Sequence, residues 1–577
     1  MSPAPAASAF AMVLVGSVAC VALAGRAQAS ASCEDLAKLA LPDTTIVSAM
    51  TVPAGPFSAV SVGDPFAAEA TTSPAPTCSS NIAAPQVPAF CRVAASIAER
   101  GAANPINIEV WLPLENWNGK FEAVGNHGFA GEIEYADMAP ELVKGYAVAA
   151  TDTGHPGPAT AWMQNHQSIV DYGTLGIHEM TLKSKHIIKA FYGKHPRYSY
   201  FNGCSTGGKE GLMEAQRYPK DYDGINIGGS ANFAQIHNRL EYVWNGQVTF
   251  GNAQTPIGPA TAALVNAAAI AACDALDGVV DGVIDDPLTC PFQPSSLLCR
   301  PGQNPATCLT AAQVEAVEKV YDGPRNPVTN EEIYPGLPRG SELGWGANTS
   351  TTVFATATQF FEFMVLNNPN WDFRTFNFDS TPGVGGDTTD TDRAFSPLID
   401  AINPDLRAFK RHGGKLLQSH LWNSVVHPAA RSIEYYEQVV QGMNGGKENL
   451  DVRDFAETQD FYRLFMGPGG PGSKAPTAFD SMPYLERWVE DGIAPDSILA
   501  SHFTGTVVDR TRPLCAYPAF AAYKGQGSTD DAANFECREP KHVVNYFVKN
   551  GPEMDDPVTP PVPKPHGDRD DHDQDRD

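Results

Sequence analysis

Residues 197–219 read RYSYFNGCSTGGKEGLMEAQRYP, and at their centre Gly203-Cys204-Ser205-Thr206-Gly207 forms a G-x-S-x-G pattern. An alternating aromatic run precedes it and a helix-like segment follows it. Strand, sharp turn carrying serine, then helix is the order of a nucleophile elbow, in which the serine stands at the end of a parallel strand. Ser205 is therefore the candidate nucleophile, and the rest of the chain has to supply a base and an acid.

The surrounding pattern agrees with that placement. INIEVWLP (106–113), GKFEAVGN (119–126) and YAVAATDTG (146–154) read as strands ending in Gly-rich turns, and HEMTLKSKHIIKAFYG (178–193) has helical periodicity. GGKLLQSHLW (413–422) restores a strand and RSIEYYEQVVQGM (431–443) a helix. Strands alternating with helices predict an α/β fold, a mostly parallel sheet with flanking helices. Between 231 and 404 the texture changes to dense Cys, Pro, Gly and acidic turns. This stretch reads as an inserted lid over the carboxyl ends of the strands, where sites of open α/β sheets lie. The expected organisation is a discontinuous core of 30–230 and 405–557 around the 231–404 insertion.

Both termini read as something other than core. AFAMVLVGSVACVALAG (9–25) is apolar and Ala27-Gln28-Ala29 offers a small-x-small cleavage pattern, so residues 1–29 are expected to be a signal peptide. A lipoprotein reading through Cys20 is weaker, because Ser17-Val18-Ala19 lacks the usual leucine. No other run is expected to span a bilayer. Residues 558–577 end in HGDRDDHDQDRD after a Pro-rich stretch, an acidic tail expected to be disordered. A net charge of −26 argues against nucleic acid or an anionic membrane as partner. The mature protein is expected to be secreted or periplasmic, and Asn348-Thr349-Ser350 is a glycosylation sequon only in a eukaryotic source.

Export makes the cysteines readable as disulfides. Close pairs suggest Cys273–Cys290, Cys299–Cys308 and Cys515–Cys537, while Cys33, Cys78, Cys91 and Cys204 stay open on spacing alone. In CDALDGVVDGVIDD (273–286), Asp274, Asp277 and Asp281 put three carboxylates within eight residues, with Gly278 and Gly282 permitting tight turns. Hard cations take such oxygen sets; the spacing is not that of an EF-hand, and a solvated acidic turn is the alternative.

Together these motifs resemble the tannase and feruloyl esterase family of secreted α/β-hydrolases over nearly all of residues 33–555. FCRV (90–93), EVWLP with WNGKF (109–121), GNHGFAG (125–131), TDTGH (151–155) and GCSTGGKEGLMEAQRYPKDYDGI (203–225) carry the resemblance. CDALDGVVDGVIDD, FYRLFM (461–466), RTRPLCAYP (510–518) and YKGQGSTDDAANFEC (523–537) add to it. The resemblance implies Ser205 as nucleophile, with the backbone amides of Thr206 and of Gly128, near His127, as oxyanion hole. It implies a structural Ca2+ held by the side chains of Asp274, Asp277 and Asp281 and the carbonyls of Val279 and Val283. The three close cysteine pairs fit the family's disulfides, and Cys33 could pair with Cys78 or Cys91.

The chain departs from the family where the triad should be completed. GGKLLQSHLWNS (413–424) aligns with the stretch carrying the acid, and Ser424 holds the acid's place. After FYRLFM the His-Cys turn is replaced by GPGGPGSKAPTAFD (467–480), which removes both the triad histidine and the cysteine expected to bridge Cys204. His127 and His427 are the candidate substitute bases, whereas His420 matches a histidine relatives already have beside the catalytic one. Two readings follow: an esterase for aromatic esters such as galloyl or feruloyl esters, or a catalytically impaired relative that binds an aromatic ester or polyphenol.

Overall fold

The computed structural model describes residues 31–56, 86–129, 131–156, 160–229, 235–250, 255–347, 355–379, 387–469, 474–543 and 545–546. The expected signal peptide with Cys20, Cys78, the Asn348 tripeptide and the acidic C-terminal stretch lie outside the described residues.

A nine-stranded sheet organises the chain. Its strands are β1 (Thr44–Val52), β2 (Phe90–Ile97), β3 (Ile106–Pro113), β4 (Lys120–Val124), β5 (Ala147–Thr151), β6 (Tyr198–Cys204), β7 (Gly224–Gly228), β8 (Lys415–Leu421) and β9 (Tyr462–Gly467). Their order is β1-β2-β3-β5-β4-β6-β7-β8-β9. The first three pairings are antiparallel, and every pairing from β5 to β9 is parallel. The fold is that of an α/β-hydrolase, as the resemblance implies, with the mostly parallel sheet that the strand-helix alternation predicts.

Period-two alternation divides the sheet's side chains between two cores. On one face Ile108, Val110 and Leu112 join Ala147 and Ala149 under α1 (Gly176–Tyr192), α2 (Thr206–Arg217) and α6 (Ala430–Met443). On the other, Trp111, Val148 and Ala150 pack with Leu485 and Trp488 of α7 (Met482–Asp491). Within this packing Glu109 is fully buried, and Arg92, Trp111 Nε1 and the Tyr135 hydroxyl all donate to it. A buried carboxylate needs such partners.

Between Gly228 and Lys415 the chain adds no strand to the sheet among the described residues. Its helices α3 (Gln235–Phe250), α4 (Pro259–Cys273) and α5 (Ala311–Asp322) build separate clusters. One holds Val265, Val317, Leu337 and Trp345; the other joins Ile236, Leu240 and Phe361 to Trp162 and Tyr172 of the core loop. One expectation is corrected here. The segment Pro259–Asp277, with mean hydropathy 1.4, is long and apolar enough by composition to cross a membrane. Its alanine-rich helix instead packs Val265, Ala269 and Cys273 into the first of these clusters and ends on Asp274 and Asp277.

Cys33–Cys91, Cys273–Cys290, Cys299–Cys308 and Cys515–Cys537 form disulfides. Cys33 thus takes Cys91, which spacing left open. Cys204 is also disulfide-bonded, so the expectation that it lost its bridge is wrong; its partner lies outside the described residues. Bridges in this number mark a chain that matures in an oxidising compartment.

Candidate active site

Ser205 stands at the junction of β6 and α2 with φ 59° and ψ −116°, a left-handed conformation that costs a non-glycine residue energy and recurs at catalytic turns. The flanking glycines make this turn possible. A Cβ on Gly203 would sit 2.6 Å from the carbonyl carbon and oxygen of Gly207, and one on Gly125 would sit 2.6 Å from the Gly207 Cα. These contacts explain the G-x-S-x-G spacing: helix, strand and the 125–129 loop meet backbone to backbone. Gly207 N donates to Asn126 O at 2.7 Å, Asn126 N to Glu210 at 2.9 Å, and the Thr206 hydroxyl to Gly128 O at 2.5 Å. The loop is thereby fastened to the start of α2.

A histidine 222 positions away reaches the serine: Ser205 Oγ lies 3.0 Å from Nε2 of His427. His427 follows β8 and is held from three sides. Its carbonyl accepts from His420 Nε2 at 2.9 Å, and its amide donates to the Ser424 hydroxyl at 3.3 Å. The preceding carbonyl, of Val426, accepts from Asn238 and from the Tyr242 hydroxyl, both on α3. Sequence, then, left two candidate bases, and only one reaches the nucleophile.

Residues 91–538 match the family described as tannase and feruloyl esterase. The chain belongs to this family. An uncharacterised esterase of Xanthomonas campestris pv. campestris is 36% identical over 91% of the chain and 94% of its own length. A probable feruloyl esterase of Arthroderma benhamiae is 33% identical over 78% of the chain and 85% of its own. Among solved structures, feruloyl esterase B from Aspergillus oryzae superposes with a TM-score of 0.76 at 29% identity, covering 88% of the chain and 99% of its own.

Ser424, which the resemblance puts in the acid's place, spends its hydroxyl on the His427 backbone rather than on the ring. Accepting the Ser205 proton at Nε2 requires the tautomer protonated at Nδ1. That nitrogen is buried and makes no hydrogen bond among the described residues. Burial first, then the positive charge of Arg239 and the His420 ring, holds the His427 pKa well below its ordinary value; the Val426 carbonyl opposes weakly. His427 is consequently neutral near pH 7, in the state a base requires.

The other candidate base is engaged elsewhere. His127 Nε2 lies 3.0 Å from Asp137 Oδ2, and its amide donates to Glu134. Burial opposes charging, but Asp137, Glu134 and Glu210 outweigh it and raise the His127 pKa to about 9. A ring already protonated at neutral pH is no base. His420 is pushed down to about 4 by burial and, with Nε2 donating to the His427 carbonyl, accepts from Ser432 at Nδ1. It supports the backbone of His427.

The acidic loop curls as its glycines allow, with Gly278 at φ 90° and Gly282 at φ 80°. Asp274 accepts from the amides of Asp281 and Gly282, Asp277 from Val279, and Asp281 from Val283. Two features were not foreseen. Asp285 joins the group, and Arg512 binds Asp281 at 2.7 Å and Asp285 at 3.0 Å, with Arg510 also 3.2 Å from Asp281. Even so, Asp277 Oδ2 and Asp285 Oδ1 are buried without a hydrogen-bond partner. Unpartnered buried carboxylate oxygens beside a loop rich in acceptors fit a hard cation.

Proposed function

We propose that the chain hydrolyses carboxylic esters of aromatic acids, with Ser205 as nucleophile and His427 as base. The 3.0 Å approach of Ser205 Oγ to His427 Nε2 carries this reading. Ser205 Oγ attacks the ester carbonyl as its proton passes to Nε2. The backbone amides of Thr206 and Gly128 stabilise the tetrahedral oxyanion, and Nε2 returns the proton to the leaving alcohol. Water, activated by the same nitrogen, then releases the acid from Ser205. The family relatives named as feruloyl esterases support aromatic acyl groups as the substrate class.

The test is turnover of 4-nitrophenyl acetate, methyl ferulate and methyl gallate beside Ser205→Ala. Hydrolysis that disappears with Ser205 supports the esterase. Equal background rates in both proteins would favour the second reading, a secreted aromatic-ester-binding relative. One observation points that way: no carboxylate partners His427 Nδ1 among the described residues, so nothing offsets the charge the ring acquires.

The lowered His427 pKa sets the pH profile. Activity requires the neutral ring and is lost as pH falls through its pKa. Because that pKa lies well below 6.5, with Arg239 on α3 and His420 on β8 facing the ring, kcat/KM should hold level from pH 8 to pH 6. An acid limb centred at or above 6.5, measured on 4-nitrophenyl acetate, would contradict this.

We also infer that the acidic loop binds calcium, through the carboxylates of Asp274, Asp277 and Asp281 and the carbonyls of Val279 and Val283. Its role is to tie the insertion to the strand Val507–Cys515, which carries Arg510 and Arg512, rather than to take part in chemistry. Removing the ion should lower the melting temperature by several degrees, since a ligand at 100 times its Kd adds about 2.7 kcal/mol. Thermal unfolding in EDTA, then in Ca2+ or Mg2+, should show recovery with Ca2+ alone. In Asp277→Asn the recovery should vanish.

A further inference from the structure

A cation that acts on the dyad has no anion among the described residues. Arg239 is 3% exposed on α3, and its guanidinium charge acts directly on His427. It lies 5.3 Å over the ring of Phe129, the residue after Gly128, and 5.9 Å over that of Tyr242. Its neighbours Asn238 and Tyr242 bind the Val426 carbonyl, so the helix that holds the base also carries this charge. Among the described residues no carboxylate forms an ion pair with Arg239. Its one side-chain acceptor is Asn238 Oδ1 at 3.1 Å, and Nε is buried without a partner. Glu241, two positions along, has its pKa raised well above the ordinary value by burial and accepts from Asn245 instead.

A buried guanidinium without a counter-ion is costly to keep, and here it also depresses the basicity of the catalytic ring. An anion arriving with the substrate would relieve both. Resting on the esterase reading, we propose that Arg239 is the recognition point for a carboxylate carried by the ester substrate. The preferred substrates are then monoanionic: an ester whose acyl or alcohol part bears a free carboxylate, with aromatic rings stacked near Phe129. Arg suits this role because its planar fork donates two parallel N–H bonds to a carboxylate. Such an anion beside Arg239 would also raise the His427 pKa in the complex, toward the range of a better base.

Matched substrate pairs test it. For the acyl side, 4-nitrophenyl hemisuccinate is compared with 4-nitrophenyl butyrate; for the alcohol side, 3-carboxyphenyl acetate with phenyl acetate. In one arm the carboxylate should raise kcat/KM at least tenfold, and which arm responds locates the charge. Arg239→Met should erase that ratio and Arg239→Lys keep part of it. Calorimetry on Ser205→Ala, which does not turn over, should show tighter binding of the carboxylated ester than of its neutral partner. Carboxylate-selective binding without turnover in the parent protein would sink the esterase and leave this assignment standing. Turnover with no preference in either arm, and no selective binding, would overturn the assignment and leave the esterase.

Discussion

Replacing His427 by alanine should lower kcat for 4-nitrophenyl acetate about 10²-fold, with the fold intact by circular dichroism. The size follows from what an acid-less dyad has left to lose. Removing a whole Ser-His-Asp triad costs about 2 × 10⁶ in kcat, and removing the acid alone about 3 × 10⁴, so the base without its acid retains about 10². Here Ser424 cannot serve as that acid, since its hydroxyl accepts from the His427 amide. A change below threefold would mean the base is another group. A loss near 10⁶ would mean an acid reaches Nδ1 when substrate is bound.

Arg512→Met should destabilise calcium-free protein by about 3–5 kcal/mol, the usual cost of stripping a partner from buried charge. Arg512 is 1% exposed, bonds Asp281 and Asp285, and lies with its guanidinium 4.0 Å over the Phe535 ring. Without it Asp285, already pushed up to about 7 by burial and by crowding with Asp277 and Asp281, loses its only cation among the described residues. Urea unfolding in EDTA measures the effect. A loss under 1 kcal/mol would show that the loop does not depend on this contact.

These two sites also mark where sequence reading stops. The strands, the elbow and the helices α1 and α6 are legible because their signals are local: period-two alternation, a glycine before and after Ser205, apolar spacing along a helix. Three disulfides are legible because their cysteines are close in sequence. The pairing of His427 with Ser205 is not, because it depends on a contact across 222 residues and on the α3 side chains that hold Val426. His127 looks equally placed on paper, and the acidic groups around it, Asp137, Glu134 and Glu210, disqualify it. The Arg512 pairing spans 227 and 231 positions, so no motif announces it, and Asp285 gains meaning only beside it.

The most direct measurement of whether His427 activates Ser205 is covalent labelling by a fluorophosphonate, read by peptide mass spectrometry in the parent protein and in His427→Ala. The account predicts a single adduct on Ser205 in the parent, formed far more slowly in the variant. An unlabelled Ser205 in the folded parent, or labelling at equal rates in both, would contradict it.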